Sequence, residues 1–303
     1  MRAVAAGAVP RTALVLIAAV SVLWGLNWPA MKLAVGELSP WTFRVACVAV
    51  AGGGLMLVAR VWGERLLPRR DEWLPLAGVS LFSVTAWHLF SAFGLTHIEG
   101  GRAAVVAYSM PAWAALFSAL YLHERLGARQ LAALALGMAG VAVLTGPDVL
   151  AGSPLGPLLM TGAAVSWAAG IVLLKRRDWS IGIVPHTGWQ LLLGGVPIVL
   201  AWLALEPDPD LSRLTWRGLL GAGYAATVAL IFCFTAYNKI VTMLPATVAA
   251  LSTLAIPVVG LVSSALLLGE PLGAREVVAL ALVAGSIGLV LRPRRAEEAA
   301  ASG

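Results

Sequence analysis

The sequence has few charged residues: only 12% of its 303 residues are Asp, Glu, Lys or Arg. Soluble domains carry roughly 25% charged residues and about half apolar ones, so the shortage excludes an ordinary water-exposed surface for most of the chain. Hydrophobic residues make up 60% of the sequence. The excess apolar surface is expected to face lipid, which predicts an all-α integral membrane protein.

Carboxylates are missing from the centres of the long apolar stretches. A carrier of the small multidrug type, which binds a proton and a cationic drug in turn, would need such a buried carboxylate, because ionisable groups inside a membrane mark proton and ion pathways. The absence therefore favours a substrate that is neutral, zwitterionic or amphipathic.

Motifs for catalysis are also missing. The chain contains neither H-E-x-x-H nor G-x-S-x-G, the patterns of zinc proteases and of serine hydrolases. Its two cysteines, Cys47 and Cys233, fall inside apolar stretches, where small buried hydrophobes are expected. We predict that the protein is not an enzyme and uses no metal or cofactor; an intramembrane enzyme is the alternative from a different functional class.

Ten apolar stretches approach the roughly 20 residues that cross the hydrocarbon core of a bilayer. Each is predicted to be helical, because an open strand edge cannot be satisfied in lipid. They lie at approximately 12–34, 39–59, 73–93, 101–122, 130–146, 154–174, 184–204, 216–236, 245–268 and 276–291.

The net charge of the chain is +6, and its basic residues lie mainly between these stretches. Basic residues in such places anchor helices at the membrane surface, so no nucleic-acid partner is expected. Six of the 21 basic residues fall on one side of the predicted membrane: Lys32, Arg44, Arg102, Arg213, Arg217 and Arg275. The remaining fifteen share the side of the N-terminus. The positive-inside rule then predicts that both termini are cytoplasmic.

An internal repeat divides the chain. Residues 123–144 match residues 269–290 at a constant offset of 146, including Glu124 with Glu270 and the copied sequence Leu-Gly-Ala-Arg. Five spans per half force the second copy to enter the membrane from the opposite side. The prediction is two inverted five-helix repeats, 1–147 and 148–303, the second ending in a short basic, then acidic tail. Such inverted repeats are common in secondary transporters.

Three segments resemble a known superfamily: LWGLNWPAMK at 23–32, SPWTFR at the start of the second span with Arg44, and the hairpin ERLGARQ at 124–130. They resemble the drug/metabolite transporter superfamily, most closely its EamA-type ten-span members, and the overall pattern is closest to the YddG-like aromatic amino acid exporters. In one departure, Gly170 of the sixth span stands where the pattern of the first span has Asn27, so an exactly symmetric site is not expected.

The resemblance implies a multi-pass exporter of amino acids or related metabolites in a bacterial inner membrane. We predict a secondary transporter of aromatic or other hydrophobic amino acids that works by alternating access. Its partners are the small-molecule substrate and the lipid bilayer, and its oligomeric state is left open. Other amphipathic metabolites or drugs are the alternative substrates.

Aromatic and polar residues near the middle of the spans are the candidate substrate contacts. Trp24 and Trp167 occupy matching places in the repeat, where a flat aromatic face suits an aromatic or aliphatic substrate; ordinary helix packing is the alternative. Interhelical hydrogen bonding is the alternative for the polar candidates. The full set is Trp24, Asn27, Trp87, His88, Tyr108, Ser109, Trp167, Gln190, Tyr237 and Ser252.

Four further residues are candidates for hinges or gates. Pro111 and Pro257 lie at the repeat offset, and each interrupts a helical hydrogen-bond ladder; they are either packing kinks or paired interruptions beside a binding site. Arg44 and Arg102 lie within two turns of the predicted outer ends of the second and fourth spans. Each either reaches the interface with its charged group, or binds a substrate carboxylate, or closes an outer gate.

Overall fold

The computed structural model describes residues 10–98, 103, 106–107, 109–124, 126–150, 154–206, 208–269 and 273–291. This part of the chain is all-α and contains no strand. Its ten principal helices are α1 Arg11–Glu37, α2 Pro40–Val61, α3 Arg70–His97, α4 Met110–Leu122, α5 Ala128–Leu150, α6 Leu155–Lys175, α7 Ile183–Leu205, α8 Trp216–Met243, α9 Ala246–Leu268 and α10 Ala274–Leu291.

Seven of these helices are long and apolar enough to cross a membrane: α1, α2, α3, α6, α7, α8 and α9. Each coincides with a predicted span, so the all-helical membrane class is confirmed. The described parts of α4 and α10 contain shorter apolar helices, Met110–Leu122 and Val277–Ser286. A total of ten spans stays a prediction.

Helix boundaries follow from local sequence. Ser39 caps α2 by accepting a hydrogen bond from the Thr42 backbone N–H at 3.0 Å, and Pro40 follows at the first helical position. Thr215 caps α8 in the same way, accepting from the Arg217 backbone N–H at 3.2 Å. Hydroxyl side chains favour this position because they satisfy a backbone donor that has no partner within the helix.

The helices pack in reciprocal pairs. Helix α1 packs against α8 and α9, whereas α6 packs against α3 and α4. Helix α2 packs against α7, and α5 packs against α10. If α1–α5 are exchanged with α6–α10 in order, so that α1 takes the place of α6 and α6 that of α1, the same set of pairs results. The pattern is that of two similar halves packed against each other.

Small residues bring the paired helices close together. A Cβ atom added to Gly221 of α8 would lie 2.3 Å from the carbonyl oxygen of Ala30 in α1. One added to Gly194 of α7 would lie 2.7 Å from the carbonyl oxygen of Ser80 in α3. Both distances are far below van der Waals contact. Close backbone approach at small residues is a main source of helix association in membranes.

Carboxylates at the helix ends join the two halves. Glu37, at the end of α1, accepts hydrogen bonds from the backbone N–H groups of Thr215 at 2.7 Å and Gly218 at 3.1 Å, at the start of α8. Glu124, after α4, accepts one from the Ala246 N–H at 3.0 Å, at the start of α9. A negative charge is favourable at a helix N-terminus, where backbone donors and the helix dipole converge.

Two more glutamates make equivalent contacts. Glu206, at the end of α7, accepts from the hydroxyls of Ser39 and Thr42 (3.3 Å for Thr42) at the start of α2. Glu72, at the start of α3, accepts from the backbone N–H of Ser180, just before α7, at 2.9 Å. Contacts between the halves therefore exist at both ends of the bundle.

The close approach of α1 and α8 can be tested with two glycines on α8. Gly221→Ala is expected to lower the free energy of unfolding by about 1–3 kcal/mol, because the new methyl group meets backbone atoms that cannot move independently. A Cβ atom added to Gly223 would meet nothing within 4 Å, so Gly223→Ala should leave stability unchanged or slightly raised. Thermal unfolding of the purified variants in detergent measures both; equal losses would contradict the packing described.

Candidate functional site

Five aromatic side chains meet in the interior and form what we call the aromatic cluster: Trp24, Trp87, Trp167, Phe234 and Tyr237. Trp167 lies at its centre. Its ring centroid is 4.9 Å from that of Trp87, 5.4 Å from Phe234, and 5.7 Å from both Trp24 and Tyr237. These separations are typical of favourable aromatic pairs.

The cluster joins the two halves of the chain. Helices α1 and α3 of the first half contribute Trp24 and Trp87, and helices α6 and α8 of the second half contribute the other three rings. Four of the five were predicted site residues, and the structure brings these four together. Phe234 was missed, although it lies three residues before Tyr237 and therefore on the same helix face.

Two π-helical segments orient the cluster. Leu81–Ala86 of α3 directly precedes Trp87, and Ala225–Phe234 of α8 ends at Phe234, three residues before Tyr237. A π-helical turn changes the direction of the side chains that follow it and is found frequently at functional sites. The two segments lie in helices that correspond in the repeat.

Hydrogen bonds fix α1 against α8 beside the cluster. The indole N–H of Trp24 donates to the carbonyl of Ala229, within the π-helical segment of α8, at 3.0 Å. The Tyr224 hydroxyl donates to the carbonyl of Leu23 at 2.8 Å. The orientation of Trp24 is therefore set by the protein before any ligand is bound.

Several buried polar atoms form no hydrogen bond of normal geometry with a described group: the indole N–H of Trp167, the Tyr237 and Thr235 hydroxyls, and the amide oxygen of Asn27. The Trp167 indole N–H and the Tyr237 hydroxyl lie next to each other but outside that geometry. Leaving a buried donor or acceptor unpaired costs about 1–3 kcal/mol. Small-molecule sites are typically lined by aromatic side chains with a few such polar groups among them.

Turns occur at corresponding places, directly before α4 and within α9. Ser109 lies in a turn directly before Met110–Leu122, where its N–H bonds to the carbonyl of Val106 at 3.1 Å, three residues back. A turn at Thr253 and Leu254 likewise separates Ala246–Ser252 from Ala255–Leu268 in α9.

Pro111 and Pro257 follow these two turns, and both side chains are buried. The side-chain oxygen of Ser109 is buried and has no hydrogen-bond partner. Interrupted helices at corresponding positions of a repeat point to a binding site between the halves.

His88 and Ser252 form side-chain hydrogen bonds within their own helices. His88 pairs through Nδ1 with the carbonyl of Val84 in its own helix at 2.8 Å, and the Ser252 hydroxyl donates to the carbonyl of Ala249 at 2.7 Å. These hydrogen bonds are local to each helix. They give no sign of a ligand at either residue.

Gln190 forms a separate buried pair. Its amide nitrogen lies 2.8 Å from Nδ1 of His186, one turn earlier on α7. The amide oxygen of Gln190 and Nε2 of His186 are both buried without a partner. The predicted residues Tyr108 and Arg102 lie outside the described residues.

Arg44 is buried within α2, with only 3% of its surface exposed. Its Nε donates to the carbonyl of His88 at 3.2 Å and its Nη2 donates to the hydroxyl of Ser91 at 2.8 Å, which binds α2 to α3. The guanidinium does not extend to the surface of the bundle, so the interpretation as an interfacial anchor does not describe it in this conformation.

These features define a multi-pass helical membrane protein that encloses an aromatic and polar interior between two related halves. The model of the EamA-like transporter family matches the chain twice, over residues 11–146 and 154–292. The chain belongs to this family, within the drug/metabolite transporter superfamily, and contains two of its repeats. It is a membrane transporter and not an enzyme.

Individual relatives agree with this assignment. An uncharacterized transporter of Bacillus subtilis (strain 168), YvbV, is 30% identical over 97% of this chain and 95% of its own length. An uncharacterized inner membrane transporter of Escherichia coli (strain K12), YedA, is 26% identical over 90% of this chain and 88% of its own length. A protein of known crystal structure shares the fold, with a TM-score of 0.74 at 20% identity, covering 93% of this chain and 98% of the other.

Two tyrosines of α8 test whether the polar atoms of the cluster are unpaired. Tyr237→Phe removes a buried hydroxyl that has no normal hydrogen bond, so the free energy of unfolding should be unchanged or raised. Tyr224→Phe removes the bond to Leu23 and should lower it by about 1 kcal/mol. Thermal unfolding in detergent compares the two. A loss for Tyr237→Phe as large as that for Tyr224→Phe would show that its hydroxyl is paired.

Proposed function

We propose that the protein is a secondary exporter of amino acids, chiefly aromatic or other hydrophobic ones, and of related small metabolites. It acts by alternating access across the bacterial inner membrane, with both termini in the cytoplasm. The observation that carries this proposal is the aromatic cluster with unpaired polar atoms, located where the two halves meet.

The chemistry of the cluster suits such a substrate. Flat indole and phenyl rings provide apolar contact area to an aromatic or aliphatic side chain. The donors on Trp167 and Tyr237, which lie next to each other without a normal hydrogen bond, and the acceptor on Asn27 would be available to the polar groups of an amino acid. Binding such a substrate would satisfy groups that are costly to leave buried and unpaired.

The helix interruptions support a rocking mechanism. The turns before α4 and within α9 and the π-helical segments in α3 and α8 occupy corresponding places in the two proposed inverted repeats, 1–147 and 148–303. Their irregular backbones are places where a helix can bend. Rocking of the halves would break and re-form the glutamate contacts at one end of the bundle, then at the other, so the substrate is exposed to each side in turn.

Counterflow in vesicles tests transport. Proteoliposomes loaded with unlabelled phenylalanine should accumulate external radiolabelled phenylalanine faster than protein-free vesicles. Trp167→Leu should reduce the initial rate by about tenfold or more, because large aromatic contacts dominate binding energies. Trp216 is 66% exposed at the start of α8, so Trp216→Leu should transport normally.

A panel of aliphatic amino acids and uncharged aromatic drugs in the same assay separates the alternative substrates. Counterflow with drugs and none with amino acids would assign the protein to drug export. Rates equal to those of empty vesicles for the whole panel would overturn the proposal.

Reporter fusions test the proposed topology. A fluorescent protein fused at the C-terminus should fold and fluoresce, because that end is expected in the cytoplasm. Alkaline phosphatase is active only outside the cytoplasm, so a fusion after Asp210, between α7 and α8, should be active and one after Arg177, between α6 and α7, should be inactive. The reverse pattern would invert the orientation that the basic residues predict.

A further inference from the structure

Arg44 is a buried cation that has no counter-ion among the described residues. Its described contacts are neutral: the His88 carbonyl, the Ser91 hydroxyl, the sulfur of Met31 at 3.6 Å from Nη2, and the Phe43 ring, whose centroid is 4.7 Å from Cζ. No carboxylate of the described residues lies within salt-bridge distance of it. An ion pair elsewhere joins Arg177 to Asp71 near the helix ends.

This arrangement leaves part of the guanidinium unused. Arginine has five N–H donors, and the hydrogen bonds of Arg44 to described groups involve Nε and Nη2. Nη1 forms none with them. The contacts to α3 hold the planar group in one orientation while Nη1 stays available, which is how arginine is positioned to receive an anion.

Arg44 contacts residues that lie one helical turn from residues of the candidate site. Its partner Ser91 follows Trp87 by four residues on α3, and its partner Met31 follows Asn27 by four residues on α1. Four residues are about one helical turn, or about 6 Å along the axis. Along α3, the guanidinium therefore lies about one turn from the position of Trp87, a separation comparable with that between the ring and the carboxylate of an aromatic amino acid.

We propose that Arg44 binds the carboxylate of the transported molecule and thereby selects carboxylic acids over amides, esters and cationic drugs. The inference rests on the proposed function and names the substrate group recognised at the same site. A carboxylate would supply the negative charge that the buried guanidinium lacks, through charge-assisted hydrogen bonds that are stronger than those to neutral groups. A cationic ligand would meet electrostatic repulsion in a medium of low dielectric constant.

Calorimetric titration of the purified, full-length protein in detergent tests this proposal with matched ligands. Phenylalanine, which has a carboxylate, should bind about tenfold or more tightly than phenylalaninamide, which does not. In Arg44→Gln, the affinity for phenylalanine should fall about tenfold or more, while the affinity for the amide should be unchanged or rise, because the amide loses only the repulsion between its ammonium group and Arg44. Arg44→Lys retains the charge without the planar fork and should keep part of the preference.

Arg60, exposed near the end of the same helix, provides the control: Arg60→Gln should keep the full preference. Three results would overturn the inference: equal affinities of the unaltered protein for acid and amide, a preference that persists in Arg44→Gln, or equal losses for both ligands in that variant. The first needs no variant and therefore does not depend on the folding of Arg44→Gln. If no aromatic ligand binds the unaltered protein, the proposed function itself fails, and the inference with it.

Discussion

The hydrocarbon core of a membrane offers no hydrogen-bond partners, and this constraint organises the whole structure. Helices satisfy their own backbone groups in the middle of the bundle, but the first N–H groups of each helix need other acceptors. Glu37 and Glu124 supply these acceptors to α8 and α9, which belong to the other half of the chain. Satisfying the helix ends therefore also connects the two halves.

The same constraint gives meaning to the polar groups that remain unsatisfied. Many described hydroxyls in the helices bond to a carbonyl three or four residues back, as Ser80 and Thr161 do. Trp167, Tyr237 and Asn27 instead retain unpaired atoms around the aromatic cluster. Stability alone would favour apolar replacements at such positions, so their presence is consistent with a site maintained for a ligand.

Packing explains why the two halves differ at this site. Gly170 of α6 corresponds to Asn27 of α1 in the repeat, but a Cβ atom on Gly170 would lie 1.9 Å from the hydroxyl oxygen of Ser83. Helix α6 therefore approaches the π-helical segment of α3 too closely for a side chain there. The same two helices bring Trp167 into contact with Trp87. Helix α1 therefore has an asparagine at this position, whereas α6 has a glycine that permits close packing against α3.

The sequence by itself determined the membrane class, the approximate bounds of the helices and the family. Span length, missing charge and a copied hairpin are properties of the chain that do not depend on how its helices pack. It also indicated Trp24 and Trp167, because they occupy matching places near mid-span, and included Trp87 and Tyr237 among the further candidates.

Only the tertiary structure decided which candidates meet. Nothing in the sequence sets a distance between Trp24 and Trp167, which are 143 residues apart, or shows that the His88 side chain bonds to its own helix. Phe234 belongs to the cluster, and Arg44 is buried with no carboxylate partner among the described residues, because the rotation and approach of α2, α3 and α8 determine what each side chain faces. Those quantities depend on side-chain packing between helices distant in the chain, which hydropathy and spacing do not encode.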